Sequence, residues 1–594
     1  MPRQEPSSTH SHPRPLLRRA EWLSLDGDWQ FAIDQEGELT DPDEPAFTGV
    51  IRVPFAPETP ASGIGHAAPL RACWYRRTVT LPATEGGAWW LHFGAVDHRA
   101  TVWVDGALVI RHEGGYTPFA VRLQKSQPQP RTVEIVVHAE DDPTDLCKPR
   151  GKQAWSPEPA GIWYPRTTGV WQTVWLEHRP HTWIDQLRWT PNLERWEVGL
   201  ALWVGGRSRQ GWQLALDLSA GENVLAQDRY AIIAGEVHRR VALSDPGVDD
   251  FRNALLWSPE SPTLLTAQLR LLDADGATVD TVESYTALRS VAIDGGRFLL
   301  NNRPYPLRMV LDQGYWPTTG MTPPDDAALE LDVTLTKAMG FNGVRKHQKI
   351  EDPRYLACAD RLGLLVWEEM PSAYRFTSHS VQRVVHEWVA ALHRDVSHPC
   401  IVAWVPFNES WGVPNLPQSA AERHYVRAMY ELTRTLDPTR PVVGNDGWES
   451  VATDIIGIHD YGSPARIRER YGATESLLPM YSRERPGGRA LVLEGLEKPG
   501  QAVMLTECGG IAFHDDTRAT WGYTEVRSRE TLAEAYLALM RGIYDASLLS
   551  GFCYTQLTDT FQEANGLLTA DRTPKLPLAW IAACTRGEFD LVPP

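Results

Sequence analysis

The chain has 594 residues, 42% of them apolar, enough for several hydrophobic cores and, at about 150 residues per core, for three or four. A formal charge of −17 argues against nucleic acid as a partner, because phosphate binding needs a basic surface. Seven cysteines, an odd number with no close Cys-x-x-Cys pair, argue against a disulfide framework or a cysteine zinc site and point to a reducing compartment.

The first 18 residues are polar, Pro-rich and basic, lack the apolar run of about 7–15 residues that a secretory signal needs, and are expected to be loosely ordered. No later stretch approaches the ~18 apolar residues of a membrane span. The expectation is a cytoplasmic protein with no membrane partner; homo-oligomerisation is left open.

From residue 19 to 180, short apolar runs alternate with turn signals, as in Trp29–Ile33, Trp74–Val79, Ala100–Val104 closed by Asp105-Gly106, and Thr132–Val137. Period-two alternation broken by Asp-Gly turns predicts antiparallel hairpins, hence a jelly-roll β-sandwich. Residues 181–292 restart the pattern with Thr182–Leu187, Trp196–Trp203, Trp212–Leu218 and Leu264–Leu272, which fits one immunoglobulin-like sandwich. From 293 to 594 helical stretches such as Ala327–Met339 alternate with eight short apolar strands: Leu307–Leu311, Gly343–Arg345, Leu364–Glu368, Ile401–Val405, Val442–Val443, Ile455–Ile458, Val503–Thr506 and Gly551–Thr555. Eight such repeats predict a (β/α)8 TIM barrel. The chain also holds 24 tryptophans; most serve packing, but sugars stack their apolar faces on aromatic rings, so a Trp-rich β protein points to carbohydrate.

Reacting groups in a TIM barrel sit at the C-terminal ends of its strands. The fourth strand ends in Asn408-Glu409 and the seventh in Glu507, which puts two carboxyl groups at the barrel mouth. Glycoside hydrolysis needs such a pair, one protonated and one ionised, and a partly apolar wall of Trp404, Phe407 and Trp411 would push their pKa values apart. Glu368 and Glu369, taken alone, read as surface loop residues.

Three segments, Thr168–Glu177, Ala403–Gly412 and Leu505–Gly510, resemble glycoside hydrolase family 2, the family of β-galactosidases, β-glucuronidases and β-mannosidases. The resemblance implies a jelly roll, an immunoglobulin-like sandwich and a catalytic barrel in that order, and hydrolysis by double displacement with retention. It makes Glu409 the acid/base, Glu507 the nucleophile and Asn408 a donor to the sugar 2-hydroxyl. Arg345 matches a family arginine that keeps the nucleophile ionised, and Tyr461 a tyrosine that hydrogen-bonds it. His347 stands where the family often has Ser-His-Tyr, here Lys-His-Gln, and His459 is taken as a sugar contact. Asp312, Gln556 and Trp411 are placed to bind the sugar and Trp521 to form a stacking wall.

The insertion Lys148–Arg166 is expected to reach over the mouth and make the enzyme exo-acting. Family glucuronidases hold the sugar carboxylate through Asn-x-Lys; this chain has none, and the matching region begins Glu563-Ala564-Asn565. Neutral substrates remain, β-galactosides first, then β-mannosides and pentosides or furanosides. A transglycosylase and a non-catalytic carbohydrate-binding protein are the competing classes. No metal or other cofactor is predicted.

Overall fold

The computed structural model describes residues 11–125, 128–156, 158–207, 210–243, 252–472, 488–493, 500–513 and 521–594. The first β region is two antiparallel sheets face to face. One has four strands in the order Trp22–Ser24, Val174–Arg179, Ala88–Phe93, Phe119–Lys125; the other has six, with Ala72–Leu81 and Arg131–Glu140 paired over ten residues at its centre. Their alternating inward residues, among them Trp29, Phe31, Tyr75, Leu91, Val102 and Ile135, make one core. The Asp105-Gly106 turn forms as predicted, with φ of +50° and +72°, the left-handed pair that a two-residue hairpin needs. The second β region packs a three-stranded sheet on a four-stranded one around Ile184, Trp189, Leu216 and Leu269.

Residues 1–10 lie outside the described residues. Residues 11–18, expected to be loosely ordered, are instead tied down. Leu17 enters the second core, Arg18 pairs main chain to main chain with Glu283, and the next residue, Arg19, is buried between the two β regions. Its guanidinium reaches Glu177 at 2.7 Å and Asp280 at 2.9 and 3.1 Å, while Arg179 adds a 2.8 Å bond to Glu177 and Arg14 stands 3.7 Å from it. A basic, Pro-rich composition reads as solvated until its arginines find buried acids. Burial would raise the pKa of Glu177, but Arg14, Arg19, His92 and Arg179 hold it well below the usual carboxylate range. A depressed folded-state pKa means stability present above about pH 4.5 and lost as pH falls. We therefore expect Glu177→Gln to cost about 3–5 kcal/mol at pH 7 in urea unfolding, and less at pH 4, because it strands buried arginines; equal stability of the variant at pH 7 would refute this.

In the barrel, seven strands form one parallel sheet in the order fourth, third, second, first, eighth, seventh, sixth: Ile401–Val405, Leu365–Glu369, Gly343–Lys346, Leu307–Asp312, Leu549–Thr555, Ala502–Gly509, Ile455–His459. Strands covered on both faces need no polar alternation, and Ile401–Val405 is buried throughout. The fifth strand departs from expectation: Val442–Val443 gives only an isolated parallel bridge to Trp404. Pro441 has no N–H to offer, and side chains take neighbouring groups, Asp454 bonding Val442 N–H at 2.9 Å and Thr453 bonding Gly444 N–H at 3.2 Å. The helices between strands start on side-chain caps, such as Asp325 before Asp326–Ala338, Thr377 before Ser378–Asp395 and Ser528 before Arg529–Tyr544.

No helix among the described residues is long and apolar enough to cross a membrane. A cavity of about 840 Å³ lies where the N-terminal segment meets the β regions and the barrel, lined by Arg14, Trp90, Trp175, Arg179 and His393. Neither Glu409 nor Glu507 lines it.

Candidate active site

The two strand-end glutamates meet at the barrel mouth. After Ile401–Val405 the chain passes Pro406 and Phe407, and φ turns positive at Glu409 and Ser410, +51° and +56°. Two successive left-handed non-glycine residues are strained and persist only where their surroundings enforce them. Here Glu409 N–H donates to Asp446 O at 2.9 Å, Ser410 N–H to Asn445 Oδ1 at 3.0 Å, and Ser410 Oγ–H to Glu449 at 2.6 Å. The strain aims the Glu409 side chain at Glu507. One carboxylate oxygen of each lies within 4.8 Å of the other's, with a ring nitrogen of His459 inside the same span.

The two carboxylates keep different company. Glu507 accepts from Arg345 Nη1 at 2.9 Å and the Tyr461 hydroxyl at 2.6 Å, and His459 Nε2 stands 3.4 Å away. Glu409 has His459 Nδ1 at 2.7 Å. Burial would raise the pKa of Glu507, yet His459, Arg345, His347 and the Tyr461 hydroxyl hold it well below the usual carboxylate range. For His459 the balance runs the other way: burial lowers its pKa, and Glu507, Asp446 and Glu409 raise it to about 10. Both its ring nitrogens face acceptors, so His459 is an imidazolium at neutral pH.

Arg345 ties the floor of the site together. Fully buried, it reaches Glu369 at 2.7 Å, Glu507 at 2.9 Å, Asn408 Oδ1 at 2.5 Å and Asp446 at 3.2 Å. With its carbonyl spent on Arg345, Asn408 keeps a buried Nδ2 that has no partner among the described residues. A donor left open beside Glu409 suits a ligand hydroxyl.

The walls are aromatic. The Trp411 ring lies 5.2 Å from Trp163, 5.8 Å from Tyr374 and 6.4 Å from His347; opposite, Tyr461 stacks at 3.4 Å on Tyr523, which has Trp521 at 4.9 Å. The 148–166 loop crosses from the first β region onto the barrel. Arg150 and Gly151 donate to Ser372 O at 3.1 and 3.3 Å, Gln562 donates to Gly161 O and Trp163 O, and the Tyr164 hydroxyl to Glu563. Gly151 permits the approach: a Cβ there would stand 2.3 Å from Gln348 O.

Residues 291–486 match the family described as "Glycosyl hydrolases family 2, TIM barrel domain", and residues 183–289 match "Glycosyl hydrolases family 2", together just over half of the chain. The chain belongs to glycoside hydrolase family 2. Among its relatives is a β-galactosidase of Thermoanaerobacter pseudethanolicus, 24% identical over 380 residues, covering 62% of this chain and 48% of that one. A β-glucuronidase of Rattus norvegicus is 25% identical over 443 residues, covering 66% of this chain and 63% of that one. The match thus spans less than two thirds of either relative. The fold is similar over 96% of this chain and 98% of the other to a family 2 β-galacturonidase of Eisenbergiella tayi bound to galacturonate, with a TM-score of 0.73 and 21% identity.

In this family 2 barrel, Arg345, His347, Asn408, Trp411, His459 and Tyr461 gather round the paired glutamates, with Trp521 reaching them through Tyr523. Gln556 is buried, accepts from Gln313 at 2.8 Å through its carbonyl and keeps an Nε2 with no partner among the described residues. Asp312 is not exposed at the surface: it is buried and accepts from Lys346 at 2.6 Å and from Gly314 N–H at 2.8 Å. Glu368 and Glu369 are not surface residues either; both are buried, and Glu369 anchors Arg345 and, at 3.1 Å, His347. Asp446 and Tyr523 went unnoticed in the sequence, and Glu369, Lys152 and Glu563 were met there without a part in the site. Strand-end position was a usable signal for Glu369 alone.

Among the described residues, two trios are close enough to surround a cation, Glu409 with His459 and Glu507, and Asp360 with His398 and Cys400. His459 has no lone pair to give while both nitrogens carry hydrogen. Asp360 is already engaged by Tyr285 at 2.8 Å, His398 at 2.6 Å and Cys400 N–H at 2.7 Å, a network that fastens the second β region to the barrel.

Proposed function

We propose that this protein is a retaining exo-β-glycosidase that removes terminal β-linked sugars by double displacement. The unequal surroundings of the paired carboxylates carry the reading. Glu507, gripped by Arg345, Tyr461 and His459, is kept ionised to attack the anomeric carbon, while Glu409 shares a proton with His459 and passes it to the leaving oxygen. The glycosyl ester on Glu507 is then hydrolysed by water that Glu409 deprotonates. One oxygen of each carboxylate lying within 4.8 Å of the other's is the close spacing that supports retention, whose carboxyl groups stand about 5–5.5 Å apart against about 6.5–9.5 Å for inversion. The 148–166 loop, resting on Ser372 and Gln562, supports attack at chain ends only. β-Galactosides are the first substrates to test, then β-mannosides, pentosides and furanosides.

A panel of p-nitrophenyl α- and β-glycosides tests the reading, with NMR of the first-formed sugar anomer. Turnover of α-glycosides alone, or release of the inverted anomer, would defeat it.

Two further outcomes are expected. Asn408→Ala should lower kcat/KM by roughly 10²-fold on a sugar bearing its 2-hydroxyl and far less on the 2-deoxy sugar, as removal of a hydrogen bond that strengthens in the transition state predicts. The alkaline limb of kcat/KM should fall at lower pH in His459→Gln than in the wild type. His459 holds its proton until pH approaches its raised value of about 10, and His459→Gln removes that proton from the site. An unmoved limb would show that His459 does not share the acid's proton.

A further inference from the structure

One buried cation at the mouth has no part in the reaction above. Lys152 enters on the 148–166 loop, is 4% exposed, and holds its ammonium 5.4 Å from the Trp411 ring and 5.7 Å from each of Trp163 and Tyr164. Among the described residues its Nζ has neither a hydrogen bond nor an ion pair. Burial lowers its pKa, and carboxylates oppose that fall, Glu563 first, then Glu507, Glu409 and Glu369.

Glu563 comes from the barrel, after its last strand, and is 2% exposed. It accepts from the Tyr164 hydroxyl and from Asn565 Nδ2 at 3.0 Å, both neutral donors. An ionised carboxylate has about four acceptor positions, so about two stay open. Glu507, Glu369 and Asp446 are balanced by Arg345 and His459. Among the described residues, Glu563 has no cation bonded to it and Lys152 no anion.

Two opposite charges buried in one site without joining are each desolvated and uncompensated. A ligand that accepts from one and donates to the other would satisfy both, and neighbouring sugar hydroxyls do both. We propose that Lys152 and Glu563 form a two-sided clamp, one side from each domain, that holds the hydroxyl groups of a neutral glycone and excludes uronic acids. A uronate would bring its carboxylate beside Glu563 and Glu507, with Lys152 the one cation around them, among the described residues, that has no hydrogen bond or ion pair. This rests on the glycosidase reading above and adds the substrate class to it.

The test compares wild type, Lys152→Met and Glu563→Gln on p-nitrophenyl β-galactoside, β-mannoside, β-glucuronide and β-galacturonide, and on deoxy analogues of the best neutral sugar. Wild type should favour a neutral sugar over either uronide. Each variant should lose roughly 10- to 150-fold in kcat/KM on it, the equivalent of one charge-assisted hydrogen bond. The loss should shrink on the deoxy sugar that lacks the clamped hydroxyl, which a merely structural role would not produce. Glu563→Gln should also narrow the neutral-to-uronide ratio. Lys152→Met has no internal bond to break, and an unchanged melting temperature will certify its fold. A wild-type preference for uronides, or a Lys152→Met enzyme within threefold of wild type on the neutral sugar, overturns the clamp. A wild type inactive on every β-glycoside overturns the glycosidase reading itself.

Discussion

Glu507→Ala is expected to lower kcat on an aryl β-glycoside by about 10⁴- to 10⁶-fold, the scale seen when a covalent nucleophile is removed. The fold should survive, because Arg345 keeps Glu369 and Asp446 as partners. What remains is a carboxylate-sized hole lined by the donors of Arg345, Tyr461 and His459. Added azide should enter that hole, attack from the face Glu507 occupied and give the α-glycosyl azide. In Glu409→Ala azide replaces the water of the second step and gives the β-azide. Product anomers identified by NMR check both roles at once, and an exchange of the two anomers would exchange the two residues.

Arg345→Met should be the most damaging single change to the site's structure. It strands Glu369, Asp446 and Glu507 at the floor of the site, where among the described residues His459 is the cation left beside Asp446 and Glu507. Breaking a buried ion pair from one side costs about 3–5 kcal/mol, so urea unfolding should shift accordingly. The pKa of Glu507 should rise, because the burial it already bears would be less opposed, and the acid limb of the activity profile should move to higher pH with it. Arg345→Lys should recover little, since a single ammonium cannot span acceptors at Nε, Nη1 and Nη2 together. An Arg345→Met enzyme with unchanged unfolding and an unchanged acid limb would refute the electrostatic account.

The paired glutamates were legible because each closes an apolar strand whose end a barrel turns toward its mouth. The fifth strand was legible as an apolar patch but not as irregular, since Val442 and Val443 are too few to show that neighbouring side chains would claim their main-chain groups. Asp446 was lost with it, three residues past a strand too short to fix the register. Glu368 and Glu369 show another limit. Successive strand residues face opposite ways, and nothing local told which faces inward; Glu369 faces Arg345, while Glu368 stands against Asp395, which with burial raises its pKa. Lys152 and Glu563 lie far apart in the chain, and only the fold brings them to one mouth. The N-terminal arginines were misread for the same reason, their partners Glu177 and Asp280 belonging to strands much further on.

The 148–166 loop carries a last consequence. The groups placed to break the bond stand on barrel strands, whereas Lys152, Trp163 and Tyr164 hang from a surface excursion of a different unit, fastened to the barrel through Ser372 and Gln562. On the proposed clamp, choice of sugar is thus divided between this excursion and Glu563 on the barrel, whereas the proposed acid and nucleophile both stand on barrel strands. Exchanging this one excursion between relatives could redirect the preference of an unchanged catalytic apparatus, an economical route to new diets for the same scaffold.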